Sequence, residues 1–199
     1  MITTIIFDLG GVLFTNGSRA FREYVSKKFH IPEDNVQKVV SGTIGTAYRE
    51  GKLSRDEFWK QFQAILGISQ PVVELEEAWI HGYELIEDTK ELLFQLKKRY
   101  ATYYLSDNVK ERVDRLEQQY HFLSWFDGGI FSHEVGIRKP NPDIYTLILA
   151  KTKSKPQETI YIDDKPRFLI PAKELGIHTI LFENPKQLQE DIRALTPLQ

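Results

Sequence analysis

Residues 1–14 read MITTIIFDLGGVLF. The apolar run through Ile5, Ile6 and Phe7 ends in one carboxylate, Asp8, and after Leu9 come Gly10 and Gly11. The run is short and β-branched and lacks a period of two. That is the pattern of a strand buried on both faces. A carboxylate at the end of such a strand, facing glycines, adds nothing to packing, so Asp8 is a candidate for chemistry.

A chain of 199 residues makes one domain, or one core with an insertion. Lys plus Arg number 26 and Asp plus Glu 28, a formal charge of -2. That balance gives no electrostatic footprint for nucleic acid or an acidic membrane surface. Cysteine is absent, so disulfides and thiol chemistry are excluded. The first apolar run is too short, and meets Asp8 too early, for a signal peptide or a membrane span. The expectation is a soluble cytoplasmic protein with no nucleic-acid or membrane partner, its oligomeric state unreadable.

Working outward from residue 14, strand and helix patterns alternate from Asp88 to the end. DTKELLFQLKKRY (88–100) is helical, with Asp88 as N-cap and basic residues in its last turn. ATYYLSD (101–107), GGIFSH (128–133), ETIYIDD (158–164) and HTILF (178–182) read as strands. Between them lie helices over 109–120, 141–151, 166–176 and 185–195, with Asn141 and Pro142 opening the second. Gly176 stops the third, which continues through Pro171. The alternation predicts an α/β fold: a Rossmann-like parallel sheet with helices on both faces.

Residues 18–86 break that rhythm. RAFREYVSKKF, VQKVVSGTIGTAYREG, SRDEFWKQFQAIL and VVELEEAWIHGYELI are all helical patterns. The expected organisation is a core made of 1–17 and 87–199 and a helical second lobe, 18–86, inserted after the first strand. Phe21, Tyr24, Phe58, Trp59, Phe62 and Trp79 recur at helical spacing, and buried aromatics of this kind are usually core.

In an open parallel sheet, ligands bind beyond the carboxyl ends of the strands, where strand order reverses. The polar residues at those ends are Asp8, Ser106-Asp107-Asn108 and Asp163-Asp164, with Lys139 just before a helix in GIRKPNPDIY. Singly, each has a bland reading: a helix cap, a turn before a helix, a solvated acidic loop. Together, in this order, they are a nucleophile, a hydroxyl, a lysine and a pair of acids.

FDLGGVLF, YYLSDN, RKPNPDIY and YIDDKPRFLIPAKELGIHTILF resemble, in order and spacing, the four motifs of the haloacid dehalogenase superfamily. The resemblance spans the whole chain. It is nearest in character to sugar phosphatases such as glucose-1-phosphate phosphatases and the phosphatase domain of soluble epoxide hydrolase. It implies a Mg²⁺-dependent phosphatase of a small phosphorylated metabolite with a mobile helical cap. Asp8 would be the nucleophile, forming an aspartyl-phosphate. Asp8, the Gly10 carbonyl and Asp164 would ligate Mg²⁺, with Asp163 acting through water. Ser106, Asp107 and Asn108 would bind phosphate, and Lys139 would neutralise charge on Asp8 and the transferring group.

Three positions depart from the family pattern. Gly10 stands where most such phosphatases carry an acid–base Asp, a group typically worth about 10²–10⁴-fold in rate. The glucose-1-phosphate phosphatase type also resembles this chain in having Gly there. Asp107 occupies a usually neutral position and would repel phosphate unless turned away. Phe168 replaces a common Asn. Two alternatives stay open: a feeble relative that binds a phosphometabolite or protein partner, and a metal-free dehalogenase, against which the Asp163-Asp164 pair argues. For substrate recognition the insert offers Arg22, Arg49, His81 and Tyr83.

Overall fold

The computed structural model describes residues 1–196, so the last three residues of the expected core segment 87–199 lie outside the described residues. Five strands, β1 (Thr4–Phe7), β2 (Ala101–Ser106), β3 (Gly128–Phe131), β4 (Thr159–Asp163) and β5 (His178–Leu181), form one parallel sheet. Their order is β3-β2-β1-β4-β5. The chain therefore winds one way from β1 through β2 to β3, then crosses back to β4 and β5. β1 lies at the reversal, which makes neighbours of the strand ends carrying Asp8, Ser106 and Asp163.

Five helices lie between β1 and the rest of the core: α1 (Gly17–Phe29), α2 (Glu33–Ser41), α3 (Thr43–Arg49), α4 (Arg55–Leu66) and α5 (Val72–Ile80). The core helices are α6 (Glu87–Leu96), α7 (Lys110–Tyr120), the short α8 (Ser132–Val135), α9 (Pro142–Thr152), α10 (Pro166–Glu174) and α11 (Pro185–Leu195). Ile6, Leu105 and Tyr161 face α9 and α10 on one side of the sheet. Ile5, Phe7, Ile160 and Ile162 face Leu93, Leu116 and Leu188 on the other. Both faces are apolar, which is why the strands show no period of two.

Several boundaries differ from the sequence pattern. α6 ends at Leu96, so Lys97, Lys98 and Arg99 follow its last turn instead of closing it. VQKVVSGTIGTAYREG is two helices, because Gly42 is extended, with φ −81° and ψ −156°. A Cβ there would lie 2.1 Å from the Lys38 carbonyl oxygen, so the break needs glycine. VVELEEAWIHGYELI is helical only to Ile80. Beyond it Leu85 forms an antiparallel bridge with Phe14, and Ile86 N–H donates to Leu13 O at 2.9 Å, tying the end of the insert to its beginning. Asp88 lies inside the first turn of α6 rather than capping it, still well placed for the helix dipole. GGIFSH ends as a strand at Phe131, and Ser132 opens α8. The helix through Pro171 forms as expected.

The aromatic residues of the insert pack on one another, in a cluster continuous with the apolar residues on one face of the sheet. Phe21, Phe58, Trp59, Phe62 and Trp79 are all buried, and Phe21 stacks on Trp79 with centroids 4.6 Å apart. Tyr24 is partly buried at its edge. Ser54 and Glu57 form a capping box that starts α4. Among the described residues, no helix is long and apolar enough to cross a membrane.

Candidate active site

Asp8 follows β1 directly and is buried. Its Oδ1 accepts from the Leu9 amide at 2.8 Å and lies 3.0 Å from Lys139 Nζ. Lys139 is 1% exposed. Its Nζ also donates to Asp163 Oδ2 at 2.7 Å, Tyr161 Oη at 2.9 Å and Leu105 O at 3.2 Å. Burial alone would lower this lysine, but Asp163, Asp8 and Asp107 hold its pKa above the ordinary value. Asp8 behaves in the opposite way. Burial pushes it up to about 7, with Asp163 and Asp164 adding to the rise and Lys139 and Lys165 opposing it.

Asp163 and Asp164 complete an acidic cluster with Asp8, whose ligand oxygens all lie within 4.8 Å of one another. The two acids differ in what surrounds them. Asp163 is fully buried and engaged on both oxygens, by Lys139 and Tyr161 on Oδ2 and by the Lys165 amide on Oδ1 at 2.9 Å. Asp164 carries only side-chain partners, Lys165 Nζ at 2.9 Å and Asn16 Nδ2 at 3.4 Å. It lies against Gly11, whose φ is +97° and where a Cβ would lie 2.4 Å from the carboxylate. Glycine is required there both for the backbone angle and for the close approach of Asp164. Three convergent carboxylates, Asp8 and Asp163 buried and Asp164 partly so, offer only oxygen ligands and fit a hard divalent cation such as Mg²⁺.

Asp8, Gly10, Ser106, Asp107, Asn108 and Lys139 line one cleft of about 90 Å³. Ser106, at the end of β2, is 2% exposed. The Asp107 carboxylate is turned to Arg138 Nε at 2.9 Å and the Lys139 amide at 3.1 Å. Asn108 Oδ1 accepts from the Val109 amide at 3.0 Å and from Arg112 Nη1 at 2.9 Å. Both side chains are thus engaged within the protein. Phe168 forms part of the wall, with Lys139, Lys165 and Arg167 each within 5.6 Å of its ring centroid. Where an Asn would hydrogen-bond, an aromatic ring lies among three cations.

The insert forms the opposite wall through Ser18, Ser41, Arg49 and Tyr83. Of the four insert residues singled out from the sequence, Arg49 and Tyr83 line the cleft. Arg22 is engaged by Glu33 and Gln37, and His81 is exposed on Glu77. Sequence reasoning passed over Arg138, Lys165 and Arg167, although each sits beside a strand-end motif residue. It also passed over Asn16 and Ser18, which open α1, and nothing in the sequence marks Ser41. A larger crevice of about 290 Å³ between α5 and α7 holds none of the strand-end carboxylates.

The switch point of the parallel sheet gathers an acid, a lysine and an acid pair, and comparison with known proteins gives the class. The family model for haloacid dehalogenase-like hydrolases matches residues 2–176. The chain belongs to that family and is a hydrolase of its fold. It is 27% identical over 204 residues to the D-ribitol-5-phosphate phosphatase of Bacteroides thetaiotaomicron, covering 98% of both chains. A predicted HAD-like family hydrolase from Porphyromonas gingivalis superposes with a TM-score of 0.83 at 25% identity over the full length of both chains. A HAD family enzyme from B. thetaiotaomicron, solved in complex with magnesium and inorganic phosphate, superposes with a TM-score of 0.76 at 23% identity, covering 94% of this chain and 99% of that one.

Proposed function

We propose that this protein is a Mg²⁺-dependent phosphatase of a small phosphorylated metabolite of the sugar-phosphate type. The observation that carries the reading is Asp8, bound by Lys139 and set within 4.8 Å of two more carboxylates at the strand switch point. A relative named as a sugar-alcohol-phosphate phosphatase, and a structural neighbour solved with magnesium and phosphate, support it.

Asp8 attacks phosphorus and carries the phosphoryl group, splitting one hard displacement into two easier ones. Lys139 holds the Asp8 carboxylate in position and offsets charge on the transferring group. Ser106 donates to a phosphate oxygen, while Asp107 and Asn108 shape the loop through Arg138 and Arg112. Asp8, Asp164 and the Gly10 carbonyl would hold Mg²⁺, and Asp163, saturated by protein donors, would orient the shell. When bound, the ion offsets repulsion between the carboxylates and a dianionic phosphate. The insert 18–86 acts as a cap domain over the core formed by 1–17 and 87–199. The cytoplasm, where phosphorylated metabolites are made, is the compartment this reading implies.

The retained acid cluster favours this reading over a metal-free dehalogenase, and the intact Asp8–Lys139 contact favours it over an inactive binder. The test is phosphate release from a panel of phosphorylated metabolites with Mg²⁺, comparing wild type with Asp8→Asn. Wild type should turn over at least one sugar or sugar-alcohol phosphate. Asp8→Asn should fall below about 1% of it while keeping the fold, since the swap removes only charge. Asp8→Asn turnover above that level would overturn the assignment.

A further inference from the structure

Gly10 leaves the leaving group without a carboxylic proton donor, and the structure shows what occupies the space. A Cβ on Gly10 would lie 3.2 Å from Tyr83 Cε1. Tyr83, 8% exposed, lines the same cleft as Asp8. Its ring also lies on Gly17, where a Cβ would be 2.1 Å from Cδ2. Two glycines therefore make room for one phenol at the position from which an acid side chain would otherwise project.

The hydrogen bonds around Tyr83 give its hydroxyl a direction. Tyr83 Oη lies 3.0 Å from Ser18 Oγ, and by distance alone either is the donor. Ser18 Oγ also accepts from Trp79 Nε1 at 3.3 Å and Arg49 Nη2 at 3.4 Å. An indole N–H and a guanidinium N–H donate only. Together they fill the two lone pairs of Ser18, so the Ser18 proton is directed to Tyr83 Oη. The phenol then accepts from Ser18, and its own proton is free for the cleft. Arg112, with its guanidinium carbon 5.0 Å from the ring centroid, places positive charge beside the same phenol.

Building on the phosphatase reading above, we propose that Tyr83 is the proton donor to the leaving oxygen, replacing the acid absent at Gly10, and that Ser18 is its positioning residue. As Asp8 Oδ bonds to phosphorus, the bond from phosphorus to the leaving oxygen breaks and that oxygen takes the Tyr83 proton. The phenolate left behind is held by the Ser18 hydroxyl. In the second half-reaction a water attacks phosphorus, the phosphorus–Asp8 bond breaks, and the water proton returns to Tyr83, releasing phosphate.

The test uses the full chain with Mg²⁺ and two probes, a primary alkyl phosphate and p-nitrophenyl phosphate. Only the alkyl leaving group needs a proton as the bond breaks. Tyr83→Phe keeps the ring, its seat on Gly17 and the Arg112 contact. It should lower the ratio of alkyl to aryl kcat/KM by about tenfold or more. Ser18→Ala should shift the ratio in the same direction by less. Circular dichroism and Tm establish that each variant is folded. An equal loss on both probes would overturn the proposal, leaving Tyr83 a packing role, and so would no loss on either. Asp8→Asn run alongside separates the two readings. Activity that disappears in Asp8→Asn but ignores Tyr83→Phe removes Tyr83 alone. Activity that survives Asp8→Asn removes the aspartyl-phosphate reading and the Tyr83 proposal with it.

Discussion

The two walls of the cleft balance their charges differently. At the strand ends, three cations are paired with carboxylates, Lys139 with Asp8 and Asp163, Arg138 with Asp107 and Lys165 with Asp164, while Arg167 lies against the Phe168 ring. On the insert side, Arg49 is also buried, but Nη1 donates to the carbonyls of Val40 at 2.6 Å and Gly45 at 3.1 Å, and Nη2 to a serine hydroxyl. Among the described residues it makes no ion pair. Burial and the neighbouring Arg138 and Arg112 charges push its pKa down, yet a guanidinium stays protonated at physiological pH. Under the proposed mechanism, the strand-end wall meets the charge that develops in the reaction. The insert wall presents hydroxyls and one guanidinium held by neutral acceptors, on the side where the proposed mechanism puts the leaving group. Changes to the first should remove chemistry, and changes to the second should shift preference and local stability.

The largest expected effect is at Lys139. Lys139→Ala leaves Asp8 and Asp163 buried without their counterion, a change that typically costs about 3–5 kcal/mol. Urea unfolding should show that loss together with loss of turnover. A Lys139→Ala variant of wild-type stability would erase the distinction between the two walls.

Next is the metal. EDTA should stop turnover and added Mg²⁺ restore it. Asp163→Ala should weaken Mg²⁺ binding by roughly 10–100-fold, the range for an orienting group, and Asp164→Ala by more. Titration calorimetry giving the reverse order would interchange their roles.

In the insert, Phe21→Leu should lower stability by about 1–3 kcal/mol through lost packing against Trp79 and Phe62. Its kcat with Mg²⁺ should stay within about threefold of wild type, because rate follows transition-state contacts that Phe21 does not make. A kcat collapse in a folded Phe21→Leu protein would show the two walls to be one energetic unit.

Gly10→Ala sharpens the comparison where the walls meet. Gly10 is not among the left-handed glycines, so the backbone tolerates a side chain. The new methyl presses on Tyr83 at 3.2 Å, and the expected loss is about 1 kcal/mol or less in thermal unfolding. Smallest of all is Arg19→Ala, which breaks an exposed Arg19–Glu23 pair and should change stability by less than about 0.5 kcal/mol.

Much of the strand-end wall was legible in the sequence. Asp8, Ser106 and Asp163 end or directly follow buried strands, and in a parallel sheet strand ends converge wherever the order reverses. Local hydrophobic pattern and motif order were therefore enough to bring Asp8, Lys139, Asp163 and Asp164 into one site. The turning of Asp107 toward Arg138 was not legible, because it depends on the rotamer of a residue 31 positions away.

The insert wall was largely hidden. Its helices and aromatic core followed from periodicity, apart from the break at Gly42, which depends on a close approach to the Lys38 carbonyl. Arg49 and Tyr83 were visible only as two polar candidates among four. Their entry into the cleft depends on how α3 and the turn after α5 meet the loop of Asp8 and Gly10. That juxtaposition joins residues more than 70 positions apart, Gly10 and Tyr83, through contacts no local pattern encodes. The sequence by itself determined the parallel sheet, the inserted helices and the order of the acidic and basic motifs, because strand burial and helix periodicity are local properties. Only the tertiary structure decided which insert side chains face Asp8, because that is set by side-chain packing between segments far apart in the chain.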